Sequence, residues 1–198
     1  KKLTHQNINR KMSKEIVEKI TQSKDSFEAY LAIRKTENDN EIYFDIIRNH
    51  LIPFFENFAA KNNLKVQNLY KSLVENRVRY NGFSFTNNTL KKYGLNLTIQ
   101  FGNSLNRDMY YGLSFETENP KEHVIYKSIA KEAKHIMDKP KPPNGWWLCS
   151  TFWKEYKNWA EIETLYNLAY GSFQKELAAK LVAILNMTFT TIDNFENQ

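Results

Sequence analysis

Five cations and two tyrosines near the middle of the chain have the types and spacing to hold a phosphate backbone: Arg77, Arg79, Lys91, Lys92 and Arg107, followed by Tyr110 and Tyr111. Guanidinium and ammonium groups neutralise phosphates and release their counterions, and an exposed tyrosine offers a ring on which a base can stack. The charge is localised. Residues 61–110 hold eight Lys/Arg, Lys61, Lys65 and Lys71 with the five named above, against Glu75 and Asp108; their net +6 equals the +6 of all 198 residues. Lysine outnumbers arginine 22 to 6, so the same segment also fits a solvated hairpin surface in a lysine-rich protein. Tyr110 and Tyr111 alternate along one strand, so one is expected to face the core and the other not.

The second unusual group is aromatic. All four tryptophans lie in Trp146-Trp147-Leu148-Cys149-Ser150-Thr151-Phe152-Trp153-Lys154-Glu155-Tyr156-Lys157-Asn158-Trp159. Such a run is either the keystone of a core or a stacking platform, and large apolar side chains are mostly buried. In a regular strand Trp147, Cys149, Thr151 and Trp153 share one face, and Trp146, Leu148, Ser150 and Phe152 the other. Trp147 and Trp153 are then expected to pack on the terminal helix at Leu177, Leu181 and Ile184.

Groups able to make or break bonds are scarce. Cys149 lies among tryptophans, where a thiol is structural rather than nucleophilic. His123 and His135 are about 120° out of phase on one helix and cannot share a ligand face. His50 sits on an apolar helical face, the place of a satisfied core histidine. No His-Glu-x-x-His and no glycine-rich phosphate loop occurs among the six isolated glycines. Metal-dependent phosphodiester cleavage needs clustered carboxylates with a lysine beside the attacking water. The central strand instead presents Asn96, Thr98 and Gln100. The chain alone is expected to need no cofactor, to hold no metal and to lack metal-dependent nuclease activity. One cysteine excludes an intramolecular disulfide and fits a reducing cytoplasm. No apolar run is long enough for a membrane span.

The elements that must carry these residues read as follows. Ile16, Ile20, Phe27 and Leu31 recur at helical spacing, with Ser23 and Ser26 as candidate breaks. Thr36 to Asn40 is a polar turn. Tyr43, Ile47, His50, Leu51, Phe54 and Phe58 then mark a helical face, with Pro53 kinking the helix or opening its second half. After residue 76 the period changes to alternation: Tyr80–Thr86, Tyr93–Phe101 and Met109–Phe115 read as three strands of an antiparallel meander, with turns at Asn87-Asn88-Thr89 and Gly102-Asn103-Ser104. Asn119, Pro120 and Glu122 form a helix-start signature, and Ile125, Ile129, Ala133, Ile136 and Met137 the stripe of a helix that ends near Asp138 before Pro140, Pro142 and Pro143. A long helix from about Ser172 carries the stripe Phe173, Leu177, Leu181, Ile184, Thr188 and Ile192.

The order Phe83-Ser84-Phe85, a strand, Tyr110-Tyr111-Gly112-Leu113, a helix, Trp146-Trp147, Phe152-Trp153-Lys154, Tyr156-Lys157-Asn158-Trp159 and a terminal helix resembles the carboxy-terminal half of a bacterial PD-(D/E)XK nuclease family, in which a segment like Met12-Ser13-Lys14-Glu15-Ile16-Val17 precedes the sheet. The resemblance covers about residues 12–195 and rests on aromatic spacing. The Asp … (Asp/Glu)-x-Lys set is absent, so no metal ligand transfers. It implies a non-catalytic carboxy-terminal module that positions nucleic acid or mediates assembly. The chain does not begin with methionine, which fits a fragment of a longer protein.

The expected architecture is α+β: a helical segment over 1–75, then a sheet domain over 76–198 with about four antiparallel strands, helices on one face and a long terminal helix. Its candidate partners are DNA or RNA, a second copy of the chain, or an upstream nuclease core, and not a membrane. The competing expectation is a stand-alone protein-interaction domain.

Overall fold

The computed structural model describes residues 19–20, 22–34, 40–118, 120, 122–159 and 161–197; Ile16, the Met12–Val17 segment, all of the Thr36–Asn40 turn except Asn40, and Asn119 lie outside them. Helix α1 (Lys24–Arg34) starts behind Ser23, whose Oγ accepts the Ser26 N–H at 3.1 Å; Ser26 itself lies inside the helix. Helix α2 (Asn40–Ile46) passes through a wide turn, Ile47–Leu51, into α3 (Ile52–Lys61). Pro53, with no N–H to give, opens α3 rather than interrupting it. The wide turn closes five residues back, Ile52 N–H to Ile47 C=O. One extra residue turns the face by about 100°, so Phe55 is buried where Phe54 is expected.

Five strands form one antiparallel sheet in chain order: β1 (Lys65–Gln67), β2 (Gly82–Thr86), β3 (Leu95–Asn103), β4 (Arg107–Phe115) and β5 (Trp147–Phe152). The meander and the tryptophan strand are as expected; β1 is the additional strand, placed by Lys65 opposite Thr86. The turn after β2 is a helical one, α4 (Asn88–Lys92), because the Asn87 side chain caps Leu90 N–H at 2.9 Å. The turn between β3 and β4 comes later than expected, with Leu105 and Asn106 in left-handed conformation.

Alternation sorts the strands cleanly. Phe83, Phe85, Leu95, Leu97, Ile99, Phe101, Met109, Tyr111 and Leu113 are buried on one side, where all the core-forming helices pack. Phe55 meets Phe83 and Phe85 at 4.7 and 6.1 Å, so the helices before residue 76 share that core. Helix α5 (Val124–Ile136), helix α6 (Ile162–Tyr170) and helix α7 (Phe173–Glu196) complete this layer, α5 lying along α7. All six stripe residues of α7 are buried. Two details of α5 differ from expectation. His123 caps it, accepting the Ile125 N–H at 3.3 Å, so Pro120 and Glu122 stand before the helix; Ile136 is exposed and Met137 takes the buried place. No helix among the described residues is long and apolar enough to cross a membrane.

The aromatic strand is not regular. Leu113 pairs with Cys149 and Ser114 with Trp147, so Leu148 is an extra residue, a β-bulge. Beyond the bulge the faces exchange. Trp147 therefore leaves the side of Cys149, Thr151 and Trp153 and stands with Ser114 and Tyr110, its ring 5.1 Å from that of Tyr110. Only Trp153 of the expected pair packs on the terminal helix, where it stacks on Phe173 at 5.3 Å and 16°. Trp159 is wholly buried between Phe101 and Phe173.

Candidate functional site

The sheet side opposite the helices carries the short or polar residues of the same strands: Gly82 and Ser84, then Asn96, Thr98 and Gln100, then Tyr110, Gly112 and Ser114. Tyr80, Thr98, Gln100, Tyr110, Trp146 and Trp147 border a recess of about 720 Å³ there. Thr98 Oγ1 and Ser114 Oγ are 2.6 Å apart. Gln100 Nε2 donates to the Tyr80 carbonyl at 2.8 Å, and Tyr110 donates its hydroxyl proton to Gln100 Oε1. These bonds hold the Gln100 amide and the Tyr110 hydroxyl in place across the floor and tie them to the Tyr80 backbone.

An aromatic row runs from the recess out to Phe152 on β5. Tyr110 touches Trp147 and, at 5.4 Å, Phe152. Tyr80 is 58% exposed, Trp146 53% and Phe152 39%. The Asn144 Oδ1 accepts the N–H groups of both Trp146 and Trp147 at 2.9 Å, a turn that leaves Trp146 outside while Trp147 closes the recess. A cation stands at each end of the row. The Arg79 guanidinium lies 4.6 Å from the Tyr80 ring centre and its Nε donates to Gly102 C=O at 3.2 Å; the Lys141 ammonium lies 4.1 Å above the Phe152 ring. Lys141 reaches this position because its N–H donates to the Ser150 carbonyl at 2.7 Å, pairing the proline segment to the free edge of β5.

The residues singled out by sequence are not one patch. Arg77, Arg79 and Arg107 stand at the end of the sheet where β2 and β4 begin, and Lys91 and Lys92 precede β3 at the other end. The nine residues of β3 separate the two groups by roughly 27 Å. Arg77 is engaged in packing, its guanidinium 3.8 Å from the Tyr43 ring centre. Lys92 pairs with Glu196 at 2.7 Å, and Arg107 Nε donates to Ser104 C=O at 3.2 Å. Lys91 is exposed on α4. Tyr110 and Tyr111 alternate as expected, but it is Tyr110 that faces the recess; Tyr111 is 4% exposed and belongs to the core. Arg79 and Tyr110 are thus the two members of the set that meet at one site. Tyr80, Trp146, Phe152 and Lys141 join them without having been singled out for it. The signal for the last two was present: Phe152 alternates onto this face, and Lys141 sits between prolines that hold it extended.

Burial pushes the Tyr110 hydroxyl up to about 12, with the neighbouring Tyr80 hydroxyl adding to it, so it remains a hydrogen-bond donor at neutral pH. Burial likewise pushes the Cys149 thiol up to about 11, which makes it a poor nucleophile. Among the described residues Glu118 is the one acid lining the recess. Among the described residues no group of three or more His, Cys, Asp or Glu is placed to hold a metal ion. The recess thus brings together rings, hydrogen-bonding groups and flanking cations. No protein-family model, curated protein or solved structure matches the chain.

Proposed function

We propose that the domain is a non-catalytic binding module that holds single-stranded nucleic acid on the open face of its sheet. The observation that carries this reading is the aromatic row Tyr80, Tyr110, Trp147 and Phe152 over a floor of Thr98, Gln100 and Ser114, with Arg79 and Lys141 at its ends. Unpaired bases stack on such rings, their edges hydrogen-bond to fixed polar groups, and the phosphates take the cations. Duplex bases already stack on one another and have no free face for this recess. Under the nuclease resemblance, the module would present a strand to a catalytic core carried elsewhere.

Tyr110→Ala is expected to weaken binding of a labelled single-stranded oligonucleotide about ten- to hundredfold, the range for losing one stacked base. Tyr110→Phe should keep most of the affinity. Fluorescence anisotropy at low and moderate salt reads both. Preference for duplex, or a Tyr110→Ala variant that binds like the parent, would overturn the assignment. One observation favours an assembly role instead: Val78 and Leu105 are both about half exposed and are joined through the Leu105 N–H to Arg77 C=O bond at 2.8 Å. Self-association abolished by Val78→Asp, with no oligonucleotide binding at low salt, would assign the domain to that role.

A further inference from the structure

The open recess is continuous with a second, larger groove: Phe115, Asn144 and Gly145 line both. This groove, of about 790 Å³, runs between α5 and the segment Pro140-Lys141-Pro142-Pro143. One wall carries Lys127, Lys131 and Lys134, spaced four and three residues apart and so aligned on one side of the helix. None of the three is in a salt bridge among the described residues. Glu122, just before the helix, is the one acid lining the groove among the described residues. The facing wall is stiff, because three prolines fix their φ angles and the Lys141–Ser150 bridge ties it to β5. Its shape therefore exists before anything binds.

Charge accounting links the two recesses. On the open face two flanking cations, Arg79 and Lys141, share their surroundings with Glu118, too little to neutralise several phosphates. The adjoining groove, at the free edge of β5, holds three unpaired lysines beside Tyr126, Ala130 and the three prolines, apolar surface suited to sugars and base faces. We infer that the lysine groove is the second half of the same site: a single strand whose bases stack on the open face turns at Asn144–Gly145, and its sugar–phosphate backbone follows Lys127, Lys131 and Lys134 along α5. The inference rests on the open-face reading and adds to it a track, a direction and a minimum length of strand.

The experiment compares the full chain with a Lys127→Gln/Lys131→Gln/Lys134→Gln variant, all three side chains being exposed, using labelled oligothymidylates of about 4 and about 12 nucleotides, both within the range of known single-strand site sizes. For the long strand the variant should lose affinity and flatten the plot of log affinity against log salt by about two units, three phosphates at about 0.7 each. For the short strand the two proteins should agree, because it fits on the open face alone. Equal salt slopes with the long strand would overturn the track while leaving the open face standing. Equal losses with both lengths would also overturn it, since the lysines would then act as a general field. Binding of neither length to the parent protein would overturn the open-face reading and the track together. Competition by laurate that removes only the long strand's advantage supports the groove as the place where the extra nucleotides lie; laurate binding with no effect of strand length would reassign it to anionic amphiphiles.

Discussion

Trp153→Ala should lower the stability of the domain by about 3–5 kcal/mol, the cost of truncating a buried tryptophan. Its ring is 4% exposed, stacks on Phe173, meets Tyr156 edge-on at 4.7 Å and closes on Tyr111 at 6.2 Å. Those three partners come from the loop after β5, from the first turn of α7 and from β4, so the cavity would lie where terminal helix and sheet are joined. Surroundings fixed by three elements cannot collapse far into the space. In a domain of this size the loss corresponds to a fall in melting temperature of roughly 6–20 °C. Trp146→Ala, at an exposed position, should stay within about 0.5 kcal/mol of the parent. Thermal unfolding of both variants by circular dichroism checks the contrast. A Trp153→Ala protein that melts with the parent would show that the ring is not in the core.

Gly112→Ala is the second large effect. The residue has φ +156°, and a Cβ there would come within 2.1 Å of the Cys149 carbonyl oxygen and 2.8 Å of Ser150 Cα. Both obstacles are backbone atoms of the neighbouring strand, so no side-chain rotation relieves them. Either β4 and β5 separate, breaking their ladder beside the Leu148 bulge, or the alanine is held under strain. Steric overpacking and an unfavourable backbone conformation each cost about 1–3 kcal/mol, so roughly 2–6 kcal/mol is expected in all. Urea unfolding measures it directly. Undiminished stability would mean that β5 does not approach β4 in this way and that the bulge is misplaced.

The sheet was legible because its strands are half-buried. Leu95, Leu97, Ile99 and Phe101 alternate with Asn96, Thr98 and Gln100, which predicts both a strand and its two faces, and the six-residue stripe of α7 recurs every three or four residues and is buried throughout. The departures from expectation are shifts of phase. The wide turn before Pro53 moved Phe55 into the place expected for Phe54, and the Leu148 bulge carried Trp147 to the opposite face; neither leaves a mark in periodicity. Strand β1 has three residues, too few to show alternation, and is held by pairing with β2. The functional residues were half legible for the same reason. Local charge pointed to Arg79 and alternation to Tyr110, but charge counted along the chain joined arginines at one end of the sheet with lysines at the other. Tyr80 lies outside any strand, with φ +61°, and Lys141 reaches the site through a backbone bridge; only tertiary structure brings them there.

The four indole N–H groups offer the most direct test of where the protein binds, because two are assigned to each side of the sheet. Trp146 and Trp147 border the open recess, while Trp153 and Trp159 lie in the helix-covered core. In a two-dimensional ¹⁵N–¹H spectrum, assigned with single Trp→Phe variants, titration with a single-stranded oligonucleotide at low salt should move the Trp146 and Trp147 indole signals and leave those of Trp153 and Trp159 in place. A titration that moves the core pair, or that leaves all four unmoved at saturating oligonucleotide, would contradict the account.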